Sequence, residues 1–510
     1  MRLLSTLSKP IAAIISEKIR KDALRVAECQ QEIMRYLVAK GRQTEYGRHN
    51  SFDGIRTYDD FRERVPLVEY EDLRPDIERI SKGERDILWP GIPVYFAKTS
   101  GTTSGTKYIP ITRDSISNHI DTARNALLVY MNRSKNFAFP DHSMIFLQGS
   151  PVLAKKGIIP AGRLSGIVAH HVPGYLQRNR MPSWETNCIE DWETKVDAIV
   201  KETLEKRMSL ISGIPSWLRM YFEKLVARAG KPVGEIFPDF SLLVYGGLNF
   251  EPYRQVFREL IGRKVDTVEF YPASEGFLAF QDLGPGDGLL LNINSGIFFE
   301  FIPADKIHDQ QPKRIPLEEV KEGMDYAIVL SNNAGLWGYN LGDTVRFVSV
   351  NPYRLIVTGR VTQFISAFGE HVIASEVEGA LAEVCRETGT RVAEFMVAAV
   401  VNPPAGLPHH EWFIELATPV ADTLHATPVE PLHATALPGL LDQAMCRRNP
   451  YYRDLIDGHI LEPLHIIPLP AGTFKRYLEL KGRLGGQNKV THLSDDREIS
   501  DELASFATKI

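Results

Sequence analysis

Cysteine is scarce in this chain. Its 510 residues hold four thiols, Cys29, Cys188, Cys385 and Cys446, which lie far apart and form no C-x-x-C pair. They read as reduced, mostly buried thiols of a cytosolic protein, not as a disulfide framework. Basic charge is not in excess either: the formal net charge is -5, which argues against nucleic acid or an anionic membrane as the main partner. Long apolar runs are missing, since no stretch approaches the ~18 uninterrupted apolar residues of a spanning helix. Met1-Arg2-Leu3-Leu4 and Ile11-Ala12-Ala13-Ile14-Ile15 imitate a signal sequence only superficially. Lys9 and Pro10 split the apolar run and Glu17-Lys18 follow at once, so no adequate h-region exists and a cytoplasmic location is expected. The chain has no internal repeat and no heptad.

What is present is a soluble, globular composition, 44% hydrophobic and 24% charged, at a length that calls for two or more domains. Helical periodicity runs over residues 11–41, with Gly41 placed as a C-cap. Asp59-Asp60-Phe61 and Tyr70-Glu71-Asp72-Leu73 begin short helical turns on either side of Val65-Pro66-Leu67. Residues 113–132 predict an amphipathic helix, Met144–Leu147 a buried strand, and 191–230 a helical region interrupted at Gly213-Ile214-Pro215. Strands at Leu242–Tyr245 and Val268–Tyr271 flank a helix at 252–262, an alternation that predicts an α/β core. From 289 the pattern becomes strand-rich, with strands at Ile297–Phe301, Tyr326–Leu330, Thr344–Val348 and Arg354–Val357. A boundary is expected near Gly359-Arg360. A small α+β module follows, with helices at 374–387 and 436–448 and strands at 395–401 and 411–417. Residues 402–438 are proline-rich and carry His409, His410, His425 and His433. No cysteine or carboxylate set completes a metal geometry around them in the sequence, so they read as loop residues.

The strongest local signal is Thr99-Ser100-Gly101-Thr102-Thr103-Ser104-Gly105-Thr106-Lys107, in which six of nine residues are hydroxylic, two are glycine and the last is a cation. Apolar runs on both sides make it a loop tying two strands. Glycines let the backbone approach a polyanion, successive N–H groups form an anion-binding concavity, and the lysine adds a point charge for phosphate. The spacing is not that of a Walker A loop. A flexible surface turn rich in Ser, Thr and Gly is the alternative reading. Tyr271-Pro272-Ala273-Ser274-Glu275-Gly276 puts an aromatic, a hydroxyl and a carboxylate directly after an apolar strand, where α/β sheets place ligands. Glu275 beside a triphosphate makes chemical sense as a Mg²⁺ ligand, or else as a capping glutamate after a turn. Asp343, in Tyr339-Asn340-Leu341-Gly342-Asp343-Thr344, could accept two hydrogen bonds from vicinal ribose hydroxyls or be an ordinary turn aspartate. Arg360, in Val357-Thr358-Gly359-Arg360, sits at the domain junction or forms a surface salt bridge.

In this order and at these separations the motifs resemble those of the adenylate-forming superfamily of acyl-CoA synthetases, adenylation domains and luciferases. Within it the chain is most similar to the Gretchen Hagen family of acyl acid amido synthetases, plant auxin- and jasmonate-conjugating enzymes with bacterial relatives. Tyr271 to Glu275 resembles that family's Y-A-S-S-E, and Tyr339 to Thr344 its Y-R-L-G-D-V. Gly472-Thr473-Phe474 and Gln487-Asn488-Lys489 resemble its G-T-F and N-Q-Y-K, and Glu45-Tyr46-Gly47 its T-x-Y/F-G.

The resemblance implies an α/β fold: a large adenylation domain, residues 1–358, built of α/β subdomains plus a β-rich part, and a small mobile α+β C-terminal domain, residues 359–510. It implies ATP and Mg²⁺ as cofactors. Ser100, Gly101, Thr102, Thr103 and Lys107 would lie along the phosphates, Gly246 and Gly247 beside the adenine, and Asp343 at the ribose. Tyr271 and Ser274 belong to the same nucleotide site, and Glu275 would hold the metal. Catalytic cations would be Arg360 at the hinge and Lys489 in the C-terminal domain. Plant members carry a lysine after the hinge where this chain reads Gly369-Glu370-His371-Val372, so His371 is the other candidate for the adenylation cation, its charge partial near neutrality. Asn340 replaces the family's arginine. The implied reaction is adenylation of a carboxylic acid followed by transfer to an amino acid amine, by a monomer. An acyl- or aryl-CoA ligase with a thiol acceptor, or a non-catalytic nucleotide- or acyl-acid-binding protein, are the alternatives. Residues 113–175 are expected to line the acyl pocket.

Overall fold

Apolar runs without polar alternation demand burial on both faces, and in this chain they build one large sheet. The structure, a computed structural model, describes residues 3–100, 106–172, 174–247, 250, 253–307, 309–361, 364–365, 370, 372–417, 432–482, 490–494 and 497–507. It resolves into two compact units. The first comprises Met1–Leu218, Phe237–Gly247 and Val265–Ile356, the second Arg219–Ile236, Leu248–Lys264 and Val357–Ile510.

In the first unit, β1 (Tyr95–Ser100) and β2 (Thr106–Ile111) form an antiparallel hairpin with Ser100 opposite Thr106. The Gly/Thr segment therefore does tie two paired strands, and its residues 101–105 lie outside the described residues. Further strands are β3 (Ser143–Phe146), β4 (Ala154–Lys156), β5 (Ile159–Gly162), β6 (Arg180–Met181), β7 (Met208–Gly213), β8 (Leu242–Gly246), β9 (Asp266–Pro272), β10 (Phe277–Phe280) and β11 (Leu289–Leu291). They continue with β12 (Ile297–Pro303), β13 (Ile315–Pro316), β14 (Asp325–Asn332), β15 (Tyr339–Val350) and β16 (Tyr353–Arg360). The hairpin joins a four-stranded sheet ordered β2-β1-β5-β4, and the others form a 12-stranded sheet ordered β13-β12-β14-β15-β16-β11-β10-β9-β8-β7-β3-β6. From β6 to β9 the neighbours are parallel. From β9 through β10 and β11 to β16, and again from β15 through β14 to β12 and β13, they are antiparallel. The switch falls at β9, at the edge of the Tyr271–Gly276 motif.

Two sequence expectations need correction here. The region 191–230 is not helix with a break: helices Trp192–Thr203 and Pro215–Ala229 flank strand β7, Met208-Ser209-Leu210-Ile211-Ser212-Gly213. Six residues of mixed apolar and hydroxyl character carry no clear period, and β7 is decided by its place between β3 and β8. The N-terminal pattern forms two helices, Leu3–Ala23 and Val26–Gly41, and Gly41 is the last helical residue rather than a cap. Its reason is packing. A Cβ there would sit 2.7 Å from Phe52 and 2.8 Å from Trp337. Trp337 is fully buried, stacks on Tyr46 at 6.0 Å and meets Phe52 edge-on at 4.9 Å. Gly47 is equally constrained, since a Cβ would fall 2.0 Å from the Gly41 carbonyl oxygen. Glu45-Tyr46-Gly47 thus marks a closely packed corner rather than a ligand site.

In the second unit, β17 (Phe364–Ile365) pairs with β18 (Val372–Ile373). A four-stranded sheet has the order β21-β20-β19-β22, formed by β19 (Val392–Val400), β20 (His409–Leu416), β21 (His465–Leu469) and β22 (Leu493–Ser494). Its core holds Trp412, Phe395, Leu441 and Met445 beside helices Ala374–Thr388 and Leu432–Arg448. His409 and His410, read as loop residues, are both buried on β20. The proline-rich composition ahead of them hid a strand start. His433 falls in helix Leu432–Arg448 and His425 lies outside the described residues. Among the described residues no helix is long and apolar enough to cross a membrane.

Candidate active site

The parallel strands β8 and β9 end side by side, with Gly246 in register with Phe270. A Cβ on Gly246 would fall 2.2 Å from the Phe270 carbonyl oxygen, and Gly247 has φ +84°. Only glycine allows that approach and that turn together. The carboxyl ends of parallel strands are where open α/β sheets bind ligands, and the next residues on β9 are Tyr271 and Pro272.

Tyr271 is 7% exposed and donates its hydroxyl to Asp343 Oδ2 at 2.7 Å. Asp343 reaches that position because β15 bulges. Its pairing with β14 jumps from Asn340 opposite Val329 to Thr344 opposite Ala327, so Leu341, Gly342 and Asp343 together face Ile328. Bulges of this kind re-aim side chains next to functional sites, and Gly342 takes φ +82° to make it. Asn340 Oδ1 accepts from the Gly342 N–H at 3.1 Å, and its amide group donates to Glu69 at 3.4 Å. The residue standing in place of the family's arginine is therefore a brace of the bulge.

Ser274 and Glu275 occupy the tight turn Ala273–Gly276, closed by the Ala273 N–H donating to the Gly276 carbonyl at 2.9 Å. Asn332 holds the turn by donating to the Glu275 carbonyl oxygen at 2.7 Å. The Tyr339 phenol is buried near the Glu275 carboxylate, and burial, then the Glu275 charge, push its pKa well above the usual tyrosine value. Asp343 is thus tied to one buried tyrosine, and Glu275 lies near a second. On the hairpin, the Tyr108 N–H donates to the Tyr70 hydroxyl at 2.8 Å, and the half-buried Lys107 ammonium lies 5.7 Å from the Tyr70 ring centre. Tyr70 and Tyr339 belong to one buried core. The contacts of Lys107 and Tyr108 with Tyr70 thus fasten the hairpin to the core that also holds Tyr339.

The first unit therefore brings Tyr271, Ser274, Glu275, Asp343 and Gly246-Gly247 to one edge of the sheet and sets Lys107 over Tyr70. Ser100 closes β1, while Gly101, Thr102 and Thr103 lie outside the described residues. In the second unit Arg360 ends β16 and is exposed. His371 and Lys489 lie outside the described residues. Glu370, the neighbour of His371, is fully buried and bonded to His410 Nε2 at 3.0 Å. Tyr70, Asn332 and the brace role of Asn340 had no signal in the sequence, because Tyr70 meets Tyr108 across 38 residues of chain, Asn332 meets Glu275 across 57 and Asn340 meets Glu69 across 271. The histidine-rich stretch also differs from expectation. A carboxylate does complete a ligand set there, since His409, Glu462 and His465 bring ligand atoms within 4.8 Å of one another.

Comparison with known proteins agrees with this geometry. The chain matches the GH3 family N-terminal domain over residues 15–186, the GH3 family central domain over 290–360 and the GH3 family C-terminal domain over 375–498. It is 24% identical over 65% of its length to jasmonoyl-L-amino acid synthetase JAR4 of Nicotiana attenuata, of which it covers 67%. It is 21% identical over 88% of its length to indole-3-acetic acid-amido synthetase GH3.4 of Arabidopsis thaliana, of which it covers 86%. Among solved structures, AtGH3.15 acyl acid amido synthetase in complex with 2,4-DB is similar with a TM-score of 0.76 at 17% identity, over 98% of this chain and 96% of that one. A 2-hydroxyisobutyryl-CoA ligase in the postadenylation state gives 0.56 at 12% identity, over 95% and 92%. These likenesses establish the fold, the mixed α/β architecture of adenylate-forming ligases with a C-terminal domain. The chain belongs to the GH3 family, the Gretchen Hagen family that its motifs resemble.

Proposed function

We propose that this chain is an acyl acid amido synthetase: it adenylates a carboxylic acid with ATP and passes the acyl group to an amino acid amine. The observation that carries the reading is the Tyr271–Asp343 hydrogen bond beside the Ala273–Gly276 turn that bears Glu275, at the carboxyl edge of a parallel sheet in a GH3 chain. A carboxylate offers about four acceptor positions and Tyr271 takes one, so Asp343 is suited to hold the ribose hydroxyls. Gly246-Gly247 would admit the adenine without steric conflict. Ser100 to Thr103 and Lys107 would follow the phosphates.

A phosphate-borne Mg²⁺ asks one or two carboxylates of a protein. Glu275, half-buried in a turn pinned by Asn332, fits that demand, and the ion would neutralise charge on the phosphates. The substrate carboxylate attacks the α-phosphorus and pyrophosphate leaves, giving a mixed anhydride. The amine then attacks the acyl carbonyl, a proton goes to solvent, and AMP leaves. Preorganised donors aimed at the developing charge lower both barriers.

Residues 1–358 would bind nucleotide and acyl acid, the latter along 113–175. Residues 359–510 would supply Arg360 and the cation, Lys489 or His371, and exclude water on closing. We place the enzyme in the cytoplasm as a monomer, its thiols reduced. The test is pyrophosphate release and amide formation over a panel of carboxylic acids, with amino acids or coenzyme A as acceptor. An amide product with amino acids and no thioester with coenzyme A is expected. Thioester formation would make it a CoA ligase, and no release with any acid would make it a binding protein.

A further inference from the structure

We propose that His409, Glu462 and His465 form a binding site for a divalent transition metal of the zinc class, on the sheet of the second unit. The site is independent of the nucleotide reading. His409 begins β20 and His465 begins β21. These strands are parallel neighbours, with His465 opposite Glu411. Side chains two apart on a strand share a face, so His409, Glu411 and His465 emerge on the same side of the sheet. The Glu462 N–H donates to the Pro408 carbonyl at 3.0 Å, which fixes the turn before β21 against the start of β20. Backbone pairing thus brings the three groups together.

The distances are those of a site. Glu462 Oε1 lies 3.4 Å from His409 Nδ1 and 3.3 Å from His465 Nε2. Ligands at about 2.1 Å around a tetrahedral zinc are about 3.4 Å apart. The two imidazole rings approach to 3.9 Å between centres. His409 Nδ1 also donates a hydrogen bond to the Leu407 carbonyl oxygen at 3.0 Å, and a bound ion takes the place of that proton. Glu462 Oε2 accepts from the Leu407 N–H at 3.3 Å, so the carboxylate is oriented. Glu411 stands 4.0 Å from His409 Nε2, the ring nitrogen directed away from Nδ1, and is held by Arg497 at 2.7 Å, so it steadies the ring from outside the ligand set.

Chemistry selects the ion. Two imidazoles and a carboxylate favour Zn²⁺, Co²⁺ or Ni²⁺ over Mg²⁺ and Ca²⁺, which prefer oxygen-only shells. Exposure grades from His409, 7% exposed, through Glu462 at 28% to His465 at 49%. The anchor is therefore rigid and the outer ligand can adjust to the ion. Since β21 is the edge strand of its sheet, a bound ion would clamp that edge to β20. An ion pair between Glu462 and one protonated imidazole is the competing account, and it needs no second histidine.

The test uses the full-length protein stripped of metal and titrated with Zn²⁺ by calorimetry, and with Co²⁺ followed by its visible d–d bands. One equivalent of each is expected, with a four-coordinate Co²⁺ spectrum and a rise in Tm on Zn²⁺ that Mg²⁺ does not reproduce. His465→Ala, at the exposed ligand and so compatible with folding, should weaken Zn²⁺ binding at least tenfold, and so should Glu462→Gln. Absence of stoichiometric Zn²⁺ uptake, or undiminished affinity in both variants, would overturn the proposal.

Discussion

Asp343 either serves the nucleotide or merely satisfies Tyr271, and a mutant cycle separates the two. The Tyr271 hydroxyl donates to Asp343 at 2.7 Å from a side chain 7% exposed. Asp343→Ala strands that nearly buried hydroxyl, which costs about 1–3 kcal/mol of stability. On the proposed nucleotide reading it also removes the acceptor of two ribose hydroxyls. At about 1.5–3 kcal/mol for each charge-assisted bond, the lower bound is ~3 kcal/mol, roughly a hundredfold weaker ATP binding. Tyr271→Phe keeps the ring in the core and removes only the orienting donor. Asp343 is half-exposed, so water can replace the donor and ATP affinity should fall by about fivefold or less, ~1 kcal/mol. The double variant should regain most of the stability lost by Asp343→Ala, because no unsatisfied phenol remains, while its ATP affinity stays roughly a hundredfold down. Thermal denaturation reads the first quantity and calorimetric ATP titration the second. If Asp343→Ala binds ATP within about threefold of the wild type, or if the double variant recovers affinity along with stability, Asp343 is only the acceptor that Tyr271 needs.

Glu275→Ala should abolish Mg²⁺-dependent pyrophosphate release while the protein stays folded; retention of more than about a tenth of the activity, ~1.4 kcal/mol in the barrier, would remove Glu275 as the metal ligand. Lys489→Ala should slow acyl-adenylate formation in single-turnover assays more than His371→Ala does, with ATP affinity unchanged, and the reverse order would make His371 the working cation. His492 is buried and donates to Glu378 at 2.8 Å and Glu394 at 2.9 Å. Burial lowers its pKa, but the hydrogen bonds to the two glutamates outweigh it and raise it from 6.5 to about 10. That stabilisation is complete below pH ~6.5 and lost as pH rises toward ~10, so Tm should decline over this window in the wild type and less steeply in His492→Gln. A wild-type profile that is flat there would show that the pairing does not hold in solution.

What the sequence disclosed and what it concealed follow from the range over which each feature acts. The β1–β2 hairpin, the strands β8 and β9 with the helix between them, and the strand-rich run from 289 were legible because local period and turn residues decide them. Strand β7 was not, since its six residues owe their conformation to β3 and β8 on either side. Gly41 looked like a helix stop because glycine usually is one; here Trp337, nearly three hundred residues later, determines the residue. The site divides in the same way. Tyr271, Ser274, Glu275 and Asp343 stand in compact motifs, so chemistry and spacing exposed them. The bonds that hold them, Tyr271 to Asp343 and Asn332 to the Glu275 carbonyl, join β9 and its turn to β15 and β14 and exist only once the sheet is assembled. The histidine-rich stretch is the sharpest case. His409 lies fifty-three residues before Glu462 in the chain, and Glu411, the carboxylate beside it in sequence, is held by Arg497. Parallel pairing of β20 with β21 supplies another, together with a second imidazole. Whether a cluster of histidines is inert or a ligand set was therefore a question of register, which a single sequence does not contain.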